Sequence, residues 1–244
     1  LRHFATLILI SAIALSAAIA SAQELCSSLL FGESWYISEQ VATNRFVTDS
    51  DIYYLRQQMH SDFSASLAKL GPDQHIVDLG AGKGIFLTDF LKSFKDISKA
   101  PQATAFAYKI DRWLPLPKFK GKLSAKEGVF ELQSISTWKK ADMITDTFGV
   151  ISYTHDLNKT LQNIFELLNL HGELYITTTN FTATFLPTKA TLQEFLETIP
   201  GLRVEGQWGS LKVTKEQENI RIPHLRFIDL KEGYPPSRTF EIIP

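Results

Sequence analysis

Cysteine is almost absent: the 244-residue chain holds one, Cys26. A single thiol excludes an intrachain disulfide, a redox pair and a zinc site built on several thiolates. An excess of one charge is lacking too, since 25 Lys+Arg stand against 26 Asp+Glu for a net charge of −1. Diffuse affinity for nucleic acid needs many Lys and Arg neutralising phosphates, so this balance argues against it and leaves room only for a small basic patch. Glycine (13) and proline (10) are scarce beside 17 Phe and 44% apolar residues. That excludes a disordered or low-complexity chain and supplies the core of one domain of ordinary size.

Long uncharged apolar runs are also rare, and the one that stands out opens the chain. Residues 1–22, LRHFATLILISAIALSAAIASA, carry Arg2 and His3, an apolar stretch from Leu7 to Leu15 and a small-residue site, Ala20-Ser21-Ala22, before Gln23. These are the parts of a secretory signal peptide. A retained anchor is the alternative, because the run from Phe4 to Ala22 is uncharged and close to the roughly 20 residues that span a bilayer. Either way the body is expected to leave the cytosol, touching a membrane only if the segment stays. The expected organisation is a signal peptide at 1–22 and one domain at 23–244, with a lead-in (23–50), a core (51–215) and a C-terminal extension (216–244).

Strand and helix patterns alternate through the remainder. Leu55, Met59, Phe63, Leu67 and Leu70 recur at helical spacing before Gly71-Pro72. His75–Leu79 reads as a short buried strand that runs into Gly80-Ala81-Gly82-Lys83-Gly84, and Phe86, Leu87, Phe90, Leu91 and Phe94 then make an amphipathic helix. Second and third strands are expected at Ala105–Asp111 and Val129–Ile135. A fourth starts at Asp142 and runs toward Tyr153. Leu161, Ile164, Phe165 and Leu168 fit a helix face, Asn169–Gly172 a helix stop, and Glu173–Thr178 a fifth strand. Leu192, Phe195, Leu196 and Ile199 mark a last helix, followed by a hairpin across Gly209-Ser210 and two short strands in the tail. The pattern predicts an α/β fold: a Rossmann-like, doubly wound, mostly parallel sheet with helices on both faces and a C-terminal antiparallel pair.

In such a sheet a ligand sits outside the carboxyl ends of the strands, where a strand's turn meets a helix N-terminus. Gly80, Gly82 and Gly84 fall there, allowing positive φ and close approach, while the helix start suits a carboxylate or phosphate. The spacing G-x-G-x-G is one residue short of the dinucleotide fingerprint and lacks the GK[ST] of a phosphate-binding loop. NAD and nucleoside triphosphates are therefore disfavoured.

The stretch Ile76–Phe86, IVDLGAGKGIF, resembles the first motif of the class I S-adenosylmethionine-dependent methyltransferases. Ala141–Asp156 resembles that family's fourth-strand motif, and Leu167–Thr178 the helix, glycine turn and fifth strand beyond it. The resemblance spans roughly residues 50–215 and implies S-adenosyl-L-methionine as cofactor. It places Asp78 with Gly80, Ala81, Gly82 and Gly84 around the methionine part, Asp111 on the ribose hydroxyls, Ser134 and Ser136 at the adenine, where many relatives have an acid, and Asp146 near the methyl group. Asp111 stands 27 residues after Gly84 (111 − 84) against about 20 in related nucleotide folds, a gap the polar loop near Lys95–Thr104 accounts for.

Each residue has a plainer reading. Asp78 can fix the glycine turn by accepting its N–H groups, Asp111 can cap a turn, and Asp142 reads as structural. His155, beside Phe148 and Tyr153, is a candidate general base, though a lone loop histidine is commonly solvated. The catalytic pair expected is Asp146 and His155, with no metal. Asn180-Phe181-Thr182 lacks the Pro-Pro of amino-directed DNA methyltransferases, so a small molecule or protein is favoured as methyl acceptor and no nucleic-acid partner is expected. Export conflicts with a cofactor made in the cytosol. The alternative function is accordingly an exported, non-catalytic binding protein on the same scaffold.

Overall fold

The computed structural model describes residues 52–108, 116–119, 121–147, 149–154, 156–177, 182–207, 209–231 and 237–243. The expected signal peptide, its cleavage site and the lead-in lie outside the described residues, as do Asp111, Phe148 and His155.

The first helical stripe is divided into α1 (Ile52–Gln58) and α2 (Phe63–Lys69). Leu55, Met59, Phe63, Leu67 and Leu70 are all buried, so the periodicity is sound while the helix is not continuous. The break has a local cause. The backbone N–H of Ser61 donates to Gln207 Oε1 at 2.8 Å and that of Asp62 to His60 Nδ1 at 3.3 Å, so side chains take donors that a continuous helix would use.

Beyond Gly71 come β1 (His75–Leu79), α3 (Ile85–Lys92), β2 (Gln102–Ala107), β3 (Leu123–Glu127), β4 (Ala141–Asp146), α4 (Val150–Tyr153), α5 (Leu157–Leu167) and β5 (Leu168–Thr177). Then follow β6 (Thr182–Leu186), α6 (Leu192–Glu197), β7 (Leu202–Gln207), β8 (Ser210–Lys215), β9 (His224–Lys231) and β10 (Ser237–Ile243). The main sheet has the order β3-β2-β1-β4-β5-β8-β7. Strands β1 to β5 pair in parallel, and β8 runs antiparallel to both β5 and β7. This is the expected Rossmann-like, doubly wound sheet ending in an antiparallel pair.

Alternation along the strands sorts two cores. Ile76, Ala103, Ala105 and Met143 pack with Phe63, Leu67, Phe86 and Phe90 on one face. Val77, Leu79, Phe106 and Ile144 pack with Leu161, Ile164 and Phe165 on the other. Helices α1 to α3 therefore cover one face and α5 the opposite one. A second sheet, β6-β10-β9, joins the latter core through Phe185, which stacks on Phe195 of α6 at 4.3 Å and on Phe240 of β10 at 5.6 Å.

Four expected boundaries are corrected. Strand β2 begins at Gln102 and ends at Ala107, so Asp111 does not close it. The third strand is Leu123–Glu127, whereas Phe130–Leu132 and Ile135–Thr137 are single 3-10 turns. Strand β4 stops at Asp146, and Tyr153 closes the short helix α4 instead of a strand. Asn169–Gly172 is no helix stop: β5 starts directly at Leu168, and the irregularity is a register shift against β4 with His171 at φ 62°.

Candidate functional site

The sheet's direction of winding reverses between β1 and β4, because β2 and β3 extend to one side and β4 and β5 to the other. The carboxyl ends of β1 and β4 flank this switch point, the place where doubly wound sheets leave room for a ligand. Gly80, Gly82 and Gly84 take φ of 83°, 50° and 65°, values that glycine adopts without a Cβ clash. The N–H groups of Gly80 and Ala81 both donate to the Phe106 carbonyl at 2.8 Å, which ties the turn to the end of β2. Gly84 is the N-cap of α3 and has no side chain to cap it, so N–H groups of the first turn stay open to another acceptor.

Gly80 meets a second constraint. A Cβ there would lie 2.4 Å from Gly149 Cα, and a Cβ on Gly149 would lie 2.1 Å from the Leu79 carbonyl oxygen. The turns after β1 and β4 are thus pressed backbone against backbone, and Gly149 belongs to the site though sequence reasoning passed over it. The available signal was a glycine opening the apolar run Val150-Ile151 directly after the strand.

Asp78, the penultimate residue of β1, is 6% exposed and accepts a hydrogen bond from Thr145 Oγ1 at 2.7 Å. Burial pushes its pKa up to about 7, against the pull of that hydrogen bond. It does not hold the glycine turn in the expected way, since the Gly80 and Ala81 N–H groups go to Phe106. Asp146 ends β4 with 0% exposure. Its Oδ1 accepts from the Gly149 N–H and its Oδ2 from the Ile151 N–H, each at 3.1 Å. Burial raises its pKa to about 7, backbone N–H groups of Gly149 and Ile151 oppose the rise, and Asp78 adds to it. Both oxygens are therefore spent on shaping the turn and α4. In register, Leu79 pairs with Asp146 and Asp78 with Thr145, which puts the two carboxyls on opposite faces of the sheet.

Ser134, expected at the end of the third strand, is exposed and lies between the two 3-10 turns beyond β3. Asp142 sits at the amino end of β4 and accepts from the His75 N–H at 2.8 Å and from Asn169 Nδ2 at 2.9 Å, both structural contacts. A third buried carboxyl that the sequence did not single out, Glu131, follows β3. Its Oε1 lies 3.0 Å from Thr160 Oγ1, and burial raises its pKa.

The hydroxyls of Thr88, Thr147, Ser152 and Thr177 are buried without a hydrogen-bond partner. All four belong to the carboxyl-end half of the fold: Thr88 in the first turn of α3, Thr147 just after β4, Ser152 in α4 and Thr177 at the end of β5. Buried hydroxyls are normally satisfied, so unmet capacity gathered around one end of the sheet fits a polar ligand there.

No protein-family model and no curated protein matches the chain. Solved structures do. The chain is similar to the 1,6-didemethyltoxoflavin-N1-methyltransferase of Burkholderia thailandensis, crystallised with its didemethyltoxoflavin and S-adenosylhomocysteine, at 16% identity over 80% of this chain and 90% of that one, TM-score 0.49. It is similar to the N-methyltransferase NodS of Bradyrhizobium japonicum, also holding S-adenosylhomocysteine, at 13% identity over 75% and 99%, TM-score 0.47. An rRNA methylase of Streptococcus thermophilus matches at 12% identity over 65% and 96%, TM-score 0.43. All three are methyltransferases.

Proposed function

We propose that the crevice at the carboxyl ends of β1 and β4 binds S-adenosyl-L-methionine and that the protein transfers its methyl group to a nucleophilic acceptor. The observation that carries this reading is the Gly80–Gly84 turn, which begins two residues beyond the buried carboxyl of Asp78 and leads through three left-handed glycines to an uncapped helix start. That combination suits a ligand with both a carboxylate and cationic groups. The start of α3 favours the carboxylate. A cation near Asp78 favours its ionised form and offsets the desolvation that holds it near pKa 7. Asp111 would accept hydrogen bonds from both ribose hydroxyls, as one carboxylate can.

The Gly80–Gly84 turn, Asp78 and Asp111 would hold the cofactor, which would supply a methyl group activated by its sulfonium for transfer to an acceptor that gives up a proton. The protein's part is positioning, which supplies much of the acceleration when the reacting atoms are held about 3 Å apart in line. Asp146 serves this indirectly by fixing Gly149 and α4 against the β1 turn. His155 would take the acceptor's proton where the acceptor is acidic. A small molecule or protein is the acceptor class favoured.

The test is Asp111→Ala. Calorimetric titration should show S-adenosylmethionine and S-adenosylhomocysteine weakened by similar factors, roughly 10-fold to 150-fold, because hydrogen bonds to a charged group are worth about 1.5–3 kcal/mol and both ligands carry the same ribose. Unchanged affinity for both would remove Asp111 from the site.

A further inference from the structure

The amino ends of β1 and β2, at the opposite end of the sheet from the crevice, line with β3 an open cavity of about 390 Å³. That is within the range of small-molecule sites. Lys122, Lys126 and Lys139 line it together with His75, Thr104 and Ser124, and among the described residues no Asp or Glu does. All three ammonium groups have neutral partners. Lys122 Nζ donates to the Ala100 carbonyl at 2.6 Å, Lys139 Nζ to the Asp73 carbonyl at 3.2 Å, and Lys126 Nζ sits 4.7 Å from the centroid of the Trp138 ring. Among the described residues, none of the three is in an ion pair. Asp96 lies within electrostatic reach of Lys122, and it does not line the cavity.

We propose that this cavity is a second ligand site, which takes a small phosphorylated molecule. Three like charges around one concavity raise its potential and favour an anion. Charge matching selects the kind: a phosphoryl group carries about −1.5 to −2 near pH 7 and a diphosphate more, whereas one carboxylate would leave most of the three charges uncompensated. Lysine is suited to phosphate as a point charge.

The cavity also contains a hydrogen-bond chain that responds to an anion. His75 Nδ1 lies 3.1 Å from the carbonyl oxygens of Lys139 and Lys140, which only accept, so Nδ1 carries a hydrogen. In the neutral ring Nε2 then accepts from Thr104 Oγ1 at 2.8 Å, and Thr104 Oγ1 accepts from Ser124 Oγ at 2.8 Å. The Ser124 hydrogen is turned inward in that state. Protonation of His75 reverses the chain: Nε2–H donates to Thr104, Thr104 donates to Ser124, and the Ser124 hydroxyl hydrogen then turns to the Ala103 carbonyl at 3.3 Å or to an anion. The charged groups around His75 are Lys139 before β4 and Asp142 on β4, with Lys122 and Lys126 at β3 lining the same cavity, while the Lys140 ammonium turns to the Glu166 carbonyl. Burial, with Lys139, keeps the ring's pKa below its ordinary value, while the contacts to the two carbonyls and Asp142 oppose this. A bound anion screens the lysines, so binding and proton uptake at His75 reinforce each other.

The experiment is calorimetric titration of the full chain with pyrophosphate at constant ionic strength, using chloride as the balancing salt. Saturable binding below millimolar concentration is expected. It should weaken at least about tenfold, or 1.4 kcal/mol, in Lys122→Gln/Lys126→Gln and measurably in Lys139→Gln, whose exposed site leaves folding untouched. Affinity for S-adenosylmethionine should be unchanged in these variants. Sulfate, which keeps its charge across the range, should bind more tightly at pH 5 than at pH 8, and Ser124→Ala should shrink that difference. Failure to saturate at millimolar pyrophosphate, equal affinity in all the lysine variants, or tighter binding of single-stranded RNA with a salt slope beyond three charges would each overturn the proposal.

Discussion

Asp78 and Asp146 are acids held near pKa 7 in the folded chain and near 3.8 in the unfolded one. Between those values the folded state binds more protons, so stability from these groups is complete below about pH 4 and is lost as pH rises through about 7. Asp78→Asn isolates one of them, because the amide oxygen still accepts from Thr145 Oγ1. Thermal melts should show the variant more stable than the parent at pH 8, with the gap narrowing as pH falls and closing near pH 4. A parent that matches the variant at both values would mean that Asp78 carries no buried charge. Should Asp78 face a cofactor cation, the same variant loses affinity for S-adenosylmethionine while gaining stability, a trade typical of residues kept for function. Asp146→Ala has the opposite sign for folding. It strands the N–H groups of Gly149 and Ile151, each worth about 1–3 kcal/mol when buried without a partner, and denaturant titration at pH 5, where the parent's charge is gone, should show that loss.

Elements meet at the switch point through two glycines. Gly149→Ala places a methyl group 2.1 Å from the Leu79 carbonyl oxygen, so the turns after β1 and β4 must part, at about the 1–3 kcal/mol typical of overpacking. Equilibrium unfolding should show this cost together with weaker cofactor binding; a neutral Gly149→Ala would mean the turns are not pressed together. The β1 turn and α3 were legible because an apolar strand, glycines and an amphipathic stripe coincide in Ile76–Phe94. Gly149 was not, since close contact between turns almost 70 residues apart leaves no local pattern. Strand β3 was missed for a related reason. It is an edge strand in which only Leu123 of the five residues is buried, so it has no apolar signature, while the more apolar Val129–Ile135 buries Phe130 and Ile135 through 3-10 turns. Asp78 was picked out by its place before the glycines, but its partner Thr145 arises from the β1–β4 register, which sequence spacing does not encode.

At the scale of the whole molecule, one mostly parallel sheet presents an acid-bearing glycine crevice at the carboxyl ends of its parallel strands and a lysine-lined cavity toward their amino ends. Residues 1–22 add a proposal about where it works: N-terminal sequencing of protein from whole cells should find Gln23 first, and an intact soluble cytosolic chain would remove the conflict between export and a cytosolic cofactor. The central claim is that the carboxyl-end crevice holds S-adenosylmethionine, and calorimetric titration of the unaltered protein with that ligand tests it most directly. The account predicts a single saturable site below millimolar concentration, with affinity rising from pH 6 to pH 8 as Asp78 ionises. Absence of binding at millimolar ligand across that pH range would contradict it.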